Sequence, residues 1–579
     1  MHYFPSDKNL VKRGNRVSLT ITRQRITFIS ILAVVIGIVS GLGAFLVVHL
    51  VGLISNLALL HRIGYNLPNL HNYHPNWTLI PTALAGGAAV SAIAKFAPII
   101  KGHGIPESIE AILQHKSRIK PRSAIAKPVS AAIAMGTGGP FGAEGPIIVT
   151  GAAIGSLLGQ LLPVSTSERR ILLATGAAAG MAGIFGTPLA AIMLAFELLL
   201  FERSLRTLVP LMVACGISAE IHNLLITSQP LFELHHDVQV PIDQLPIFLI
   251  TGLMAGILAV CINKGLFAFE RGFRRLNVPD FTKPILGALG FSLIGLVVPG
   301  SLSVGYWAIT DAVNNRFLLG TALILMIGKL FSWQIALASD TSGGTLAPML
   351  IIGATLGEVI GIITSHIFPG LHIYPGYFAI VAMGVTFGVG TRALFTGAIF
   401  AAEVTGSYDL LIWLFIAMVI GELFAQHFLT DRIMTDKLTR RNLSVDFDTT
   451  ANILKMTTVG DIMTPFEQRD IDDGIRALNY AVTVDQAIPI LQNGIKEIPV
   501  TNDAGQGMGM ITAQSIVEVL YKGYKDEQIE SPTLQITFFR DLFATFRQHG
   551  GKSIGKKQTR PEGQTVDGKH AQESKDTDN

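Results

Sequence analysis

Long apolar segments separated by short polar breaks follow one another from Ile26 to about Leu429, and this pattern ends after Arg441. A helix that spans a bilayer needs roughly 20 mostly apolar residues. The run from Ile26 to Ile54 is long enough, whereas several later runs are shorter or are interrupted by glycine and proline. Four of these are predicted to form broken or re-entrant helices: 131–135, 146–162, 188–200 and 348–363. Because broken helices in matching positions of two halves are typical of membrane transporters, the pattern predicts an all-α polytopic membrane protein with a site at membrane depth.

An internal repeat is visible in the apolar region. The segment 146–155 matches 348–357, because each begins with proline and carries glycine at the same two later positions. The segment 191–197 matches 397–403, and both end in glutamate. The copies are displaced by 202 residues (146 to 348) and 206 residues (191 to 397). Two concordant displacements predict a duplicated membrane domain, and hydropathy alone does not decide whether the halves are inverted.

The composition also indicates a membrane protein, since 49% of the residues are hydrophobic and 15% are charged, with a mean hydropathy of +0.48. These values exclude an ordinary soluble enzyme, and a net charge of +3 is too small to indicate a nucleic-acid partner. Basic residues cluster within 1–25 and again within 432–441. Both termini are therefore expected in the cytoplasm. We expect a multi-pass protein of a bacterial inner (plasma) membrane.

One acidic residue lies in an otherwise apolar setting. Glu144 is surrounded by glycine and proline in the segment 139–149, at the predicted start of an apolar helix. Ionisable groups inside a bilayer are rare and usually line an ion or proton path. Exposed N–H groups at a helix N-terminus form an anion site. The segment therefore predicts an anion pathway that contains a titratable group.

Three segments resemble the anion-binding signatures of the CLC chloride channels and transporters: 102–107, 142–146 and 344–348. Two more segments resemble further sequence blocks of this family: 185–190 and 432–438. All five occur in the order that the family shows. The resemblance covers about residues 26–441. It implies an inverted-repeat bundle with broken helices, assembled as a homodimer in the lipid bilayer with one pore per subunit. Helix N-termini would point at a central anion, where partial positive charge replaces part of the hydration of the ion.

The resemblance also implies roles for individual residues. Glu144 matches the gating glutamate, whose carboxylate occupies an anion site when ionised and leaves it when protonated or displaced. The implied anion-binding positions are Gly102, His103, Gly104, Ile105, Pro106, Gly142, Gly145, Pro146, Thr345, Leu346 and Met434. Bound chloride is expected as the substrate, without a metal ion or another cofactor.

Several positions depart from the family pattern. His103 replaces a serine, Ala143 a basic residue, Leu346 a phenylalanine and Met434 a tyrosine that lines the inner side of the anion site. Leu198 stands where the antiporters carry an inner proton-transfer glutamate. The lost hydroxyl donors and the lost carboxylate favour a channel or a weakly coupled transporter. His103 titrates near neutral pH, so we expect acid to enhance anion binding.

The leading hypothesis is therefore chloride conduction through a pore that is gated by Glu144 and sensitive to voltage and pH. The alternative is chloride/proton antiport with Glu144 as the outer proton acceptor. A fluoride exporter is a more distant alternative, because the serine and tyrosine positions differ from the chloride-selective pattern. The sequence contains no paired intramembrane aspartates, no His-x-x-x-His pattern and no Gly-x-Ser-Gly nucleophile. An enzyme is therefore not expected.

Four other charged residues are expected to have structural roles or to be solvated. Glu107 falls in the first turn of a predicted helix, where its charge stabilises the N-terminus. Glu197 and Glu403 occupy equivalent places in the two halves, which predicts a shared structural role. Lys329 is expected to face water or to be paired.

The chain after Arg441 reads as a small soluble α/β module at 457–525, followed by a tail at 526–579 that is predicted to be disordered from about 548. The predicted elements are strands at 481–484, 497–501 and 509–512, and helices at 485–492 and after Ala513. The module resembles a CBS domain, for which dimerisation or regulation is the expected role. Nucleotide binding is not expected, because the ribose-binding Thr-x-x-Asp pattern would fall on Thr512 and Ser515.

Overall fold

The computed structural model describes residues 8–97, 100, 102, 104–200, 204–236, 238, 240–429, 432–434, 458–470, 477–484, 487, 497–502 and 505–517. The chain divides into two compact units between Thr449 and Thr450. This division falls between the predicted end of the membrane region at 441 and the predicted start of the soluble module at 457. The predicted tail from 526 lies outside the described residues.

The first unit is built from helices. They are α1 Lys8–Leu60, α2 Leu79–Phe96, α3 Ile105–Gln114, α4 Ser123–Gly136, α5 Glu144–Leu161, α6 Thr166–Phe185, α7 Pro188–Leu194, α8 Leu205–Leu225, α9 Leu245–Arg275, α10 Lys283–Val297, α11 Tyr306–Val313, α12 Leu319–Ala338, α13 Leu346–Ile367, α14 Pro375–Thr391, α15 Leu394–Thr405 and α16 Leu411–Ala425. A π-helical turn, Ala195–Leu199, continues α7. Within the described ranges, seven helices are long and apolar enough to cross a membrane.

Most of the predicted broken helices begin where glycine and proline indicated. α5 begins at Glu144, α7 at Pro188 and α13 at Leu346, and α7 has only 7 residues before its π-helical turn. The segment 131–135 forms the end of the 14-residue helix α4, which contains Pro128 and is shorter than a membrane span, in agreement with a broken or re-entrant helix.

The duplication predicted from sequence extends to the packing of the two halves. α5 packs against α6 in the first half as α13 packs against α14 in the second. Both contacts rely on glycine, since a Cβ on Gly151 would lie 2.0 Å from the Gly176 carbonyl oxygen and one on Gly357 would lie 2.0 Å from that of Phe378. Any larger residue would push these helices apart. The bundle is the duplicated, inverted-repeat all-α fold that the resemblance implied.

The second unit contains a four-stranded sheet. Its elements are α17 Val459–Ile462, β1 Thr464–Asp470, β2 Leu478–Asn479, β3 Glu497–Thr501 and β4 Gln506–Thr512, and the strand order is β1-β4-β3-β2. β3 matches the prediction, β4 begins three residues earlier than predicted, and residues 513–517 are helical. Most of the predicted helix 485–492 lies outside the described residues.

The predicted strand at 481–484 is wrong, because the parallel pairing with β3 is made by Leu478 and Asn479. The carbonyl of Val482 instead accepts the N–H of Val459, at 2.7 Å, which holds this stretch against the start of α17. A short run of β-branched residues indicated a strand, but its hydrogen bonds go to a helix terminus.

Candidate anion site and gate

The two halves of the membrane unit meet at a pair of glycines. The N–H of Gly344 donates to the carbonyl of Gly142 at 2.9 Å, and the N–H of Gly142 faces the carbonyl of Gly344 at 3.4 Å. Each glycine is followed two residues later by the first residue of a helix, α5 or α13. Reciprocal contacts of this kind are expected around a local twofold axis. The bridge therefore brings the N-termini of two equivalent helices to one place in the protein interior.

The side chain of Glu144 lies in this junction and is 1% exposed. Its Oε1 accepts the N–H groups of Leu346, at 2.6 Å, and Ala347, at 3.0 Å. These N–H groups have no partner within α13, so they are free to bind a negative charge. The carboxylate of the first half thus occupies the N-terminus of α13 in the second half, where an anion could also bind.

The Glu144 carboxylate fits into the junction because its neighbours Gly142 and Gly344 have no side chains. A Cβ on Gly142 would lie 2.0 Å from Oε2 of Glu144, and a Cβ on Gly344 would lie 2.5 Å from Oε1. Oε2 itself is buried and makes no hydrogen bond. A buried carboxylate with one unpaired oxygen is costly to keep ionised. The arrangement therefore holds the carboxylate through one oxygen only.

The first motif supplies the N-terminus of a further short helix, α3. Gly104 has φ +102° and packs so closely that a Cβ would lie 2.6 Å from the Gly145 carbonyl oxygen. Its N–H donates to Oε2 of Glu107 at 2.7 Å, as predicted for a first-turn carboxylate. Gly102 forms a parallel bridge with Ser342. His103 lies outside the described residues, so its proposed role in anion binding stays a prediction.

The other predicted anion-binding residues are placed in the same interior. All that the structure describes are buried: Gly102, Gly104, Ile105, Pro106, Gly142, Gly145, Pro146, Thr345, Leu346 and Met434. The segment that carries Met434 is held by Arg432, which donates to the carbonyl of Val389 and to Glu422. The N–H of Ile433 donates to Asn263 Oδ1 at 2.7 Å. In the described part of the chain, no group of three or more acidic, histidine or cysteine side chains could hold a metal ion.

Two fully buried lysines occupy equivalent positions in the halves, 202 residues apart. Lys127 donates to the carbonyls of Ile100 and Gly102, both at 2.6 Å, just before α3. Lys329 donates to the carbonyls of Ser301, at 3.1 Å, and Ser303, at 2.8 Å, just before α11. Of the two expectations for Lys329, exposure to water or pairing, the structure shows pairing. The sequence analysis missed Lys127, although the repeat displacement could have linked it to Lys329.

Lys329 also provides a positive charge close to the junction that holds Glu144. Its ammonium interacts electrostatically with the Glu144 carboxylate. In a low-dielectric interior such a counter-charge offsets part of the cost of burying the carboxylate. An anion that replaced the carboxylate would experience the same field.

Glu197 and Glu403 are engaged in helix capping. Glu403 accepts the N–H groups of Leu189 and Ala190, and Glu197 accepts those of Phe395 and Thr396. These bonds support the predicted structural role of both residues. The neighbouring Leu198 is 1% exposed, so the predicted position of the missing inner carboxylate is filled by an apolar core side chain.

Comparisons with known proteins are consistent with this architecture. Residues 85–426 match the profile of the voltage gated chloride channel family. This chain belongs to that family.

Several similar proteins carry names that describe them as exchangers or antiporters. The H(+)/Cl(-) exchange transporter ClcA of Citrobacter koseri is 29% identical over 427 residues, covering 72% of this chain and 89% of that protein. A structure described as a slow cyanobacterial Cl-/H+ antiporter is similar with a TM-score of 0.63 and 27% identity, covering 71% of this chain and 97% of the other. These names favour the exchange alternative over the channel that the sequence analysis placed first.

A CLC-type fluoride/proton antiporter is similar in fold, with a TM-score of 0.58, 20% identity and coverage of 69% of this chain and 96% of that structure. Because the sequence identity is low, this likeness shows the fold alone and does not favour fluoride as the substrate. The chain is a multi-pass integral membrane protein of the family.

Proposed function

We propose that this protein exchanges chloride for protons across the membrane, with Glu144 as both the gate and the outer proton acceptor. One observation carries the proposal: the Glu144 carboxylate binds the two free N–H groups at the start of α13. The relatives described as exchangers and antiporters support the same function. Chloride/proton exchange thus takes precedence over passive chloride conduction as the function of this protein.

The geometry suggests how one group can serve two ions. Ionised Glu144 competes with chloride for the N–H groups of Leu346 and Ala347. Protonation removes the negative charge and weakens the carboxyl as an acceptor, so chloride then binds there more readily. Proton uptake and chloride entry therefore favour each other at one place. Since binding by helix termini is weaker than binding by a full positive charge, the anion can also leave.

The position of Leu198 bears on the inner proton route. An apolar side chain cannot carry a proton, and the adjacent Glu197 is bonded through both oxygens to the start of α15. Protons would therefore reach Glu144 by a route that does not use either residue as a carrier. The absence of a proton carrier at Leu198 and Glu197 favours loose coupling between chloride and proton movement. For this reason a chloride channel is kept as the second candidate.

The membrane location, the topology and the assembly of the protein are also part of the proposed function. We place it in a bacterial plasma membrane with both termini in the cytoplasm, because basic residues flank the apolar region at both ends. A homodimer with one pore per subunit and a regulatory role for the 457–525 module are proposed from the resemblance.

The test is ion flux in chloride-loaded liposomes that contain the full-length protein. Chloride efflux and external pH are followed together after a potassium ionophore is added. We expect chloride efflux accompanied by uphill proton uptake, with the proton movement abolished in Glu144→Ala. Glu220→Ala, which changes an exposed glutamate on α8, is the matched control. Fast chloride efflux without proton movement in the unmodified protein would establish the channel instead.

A further inference from the structure

Tyr306 is the first residue of α11. Its hydroxyl is buried, and its O–H donates to no acceptor. The oxygen faces the backbone N–H of Ala143, the residue before Glu144, and lies near the Glu144 carboxylate. A buried phenol normally bonds its hydroxyl. The Tyr306 O–H therefore has no acceptor while the Glu144 carboxylate is bonded to α13.

The gate itself carries the complementary unpaired group. Oε1 of Glu144 is bonded to the start of α13, whereas Oε2 is buried without a partner. When an anion takes the N–H groups of Leu346 and Ala347, Oε1 loses its bonds as well. The displaced carboxyl then needs a new donor, since a buried carboxylate without hydrogen bonds is strongly disfavoured.

The surroundings hold the Tyr306 ring in a fixed position. Its centroid lies 5.9 Å from that of Phe185 and 5.5 Å from that of Phe232, and both phenylalanines are buried. The loop before Tyr306 is fixed by Lys329, whose ammonium binds the carbonyls of Ser301 and Ser303. A rigid donor costs little conformational entropy when it forms a hydrogen bond. The hydroxyl is therefore preorganised beside the gate.

We propose that Tyr306 is the positioning residue of the open gate: its hydroxyl donates a hydrogen bond to the Glu144 carboxyl group when an anion displaces that group from α13. This inference rests on one part of the proposed function, namely that an anion replaces the Glu144 carboxyl group at the start of α13. Tyr306 thereby lowers the free energy of the anion-bound state, and chloride affinity depends on a residue that need not touch the chloride.

The test measures chloride binding and chloride/proton exchange by the full-length protein. Tyr306→Phe removes the hydroxyl and keeps the ring against Phe185 and Phe232. We expect chloride affinity and exchange rate to fall about tenfold, the effect of one hydrogen bond to a charged group. Tyr377→Phe is the matched control, because the Tyr377 hydroxyl contacts His236 Nδ1 at 3.2 Å. We expect this control to retain the unmodified chloride affinity.

A double-mutant cycle with Glu144→Ala separates gate positioning from a structural effect. Without the carboxyl, Tyr306→Phe should change chloride affinity less than twofold. An equal loss in both backgrounds would show that the tyrosine acts without the gate, and no loss in the unmodified background would show that the hydroxyl is dispensable. Either result overturns the inference.

The same measurements distinguish this inference from the proposed function. If the unmodified protein moves chloride without protons, the exchange proposal fails. The double-mutant cycle of Tyr306 and Glu144 still tests the role of Tyr306 in that case. Chloride displaces the carboxyl group in a channel as well as in an exchanger, so the two substitutions should remain non-additive in their effect on chloride affinity.

Discussion

Glu197 and Glu403 cap helices in each other's half of the membrane unit. Glu197 accepts backbone N–H groups at the start of α15, and Glu403 accepts those at the start of α7. Each helix therefore begins on a carboxylate that the other repeat provides. Carboxylates at helix N-termini are stabilised by the helix dipole and by charge-assisted hydrogen bonds. The exchange of caps locks the two halves together around their local twofold axis.

Removing either cap should destabilise the bundle. We expect Glu403→Ala to cost about 1–3 kcal/mol, because a buried N–H group is left unpaired, and Glu197→Ala to cost less, because its N–H partners are exposed or part-buried. Thermal unfolding in detergent measures the effect, with the exposed Glu220→Ala as the control. A Glu403→Ala variant that unfolds at the unmodified temperature would contradict the role of this cap.

Chloride affinity should increase as the pH falls. The ionised Glu144 carboxylate competes with chloride for the N–H groups of Leu346 and Ala347, and protonation weakens this competition. Chloride binding measured between pH 8 and pH 5.5 checks the prediction. In Glu144→Gln the competing charge is absent at every pH, so the affinity should no longer depend on pH. A pH dependence that persists in this variant would contradict the role of Glu144 and would favour His103 as the titrating group.

Gly344→Ala should expel the carboxylate from its position. The added methyl group would lie 2.5 Å from Oε1 of Glu144, which is closer than real contacts allow. We expect chloride flux to lose its dependence on protons, as in Glu144→Ala. Gly216→Ala is the matched control, because a Cβ at Gly216 meets nothing within 4 Å. Unchanged proton coupling in Gly344→Ala would show that the gate does not need this contact.

Lys329 and Lys127 should differ in their effect on the gate despite their equivalent positions. Both hold loop carbonyls, but Lys329 is the lysine that interacts with the Glu144 carboxylate. Removing this counter-charge disfavours the ionised gate, so chloride uptake by Lys329→Met should begin at a higher pH. We expect no such shift in Lys127→Met. Chloride binding as a function of pH compares the two variants, and equal shifts would refute the distinction.

Much of the membrane architecture could be predicted from the sequence. The proline and glycine spacings revealed the repeat, since close helix packing and helix starts require these residue types at fixed places. The same local chemistry placed Glu144 at a helix start and Glu107 in a first turn. The segment 481–484 was predicted incorrectly as a strand, because a short β-branched run does not specify where its hydrogen bonds go.

The sequence by itself determined that this chain is a duplicated apolar bundle with a carboxylate at a helix N-terminus. The tertiary structure decided which helix that carboxylate caps. Glu144 begins α5 but bonds to α13, some 202 residues later, and Tyr306 reaches the same place from α11. Such relations depend on how the twofold-related halves meet at Gly142 and Gly344, and contacts between residues far apart in the chain leave no local pattern in the sequence.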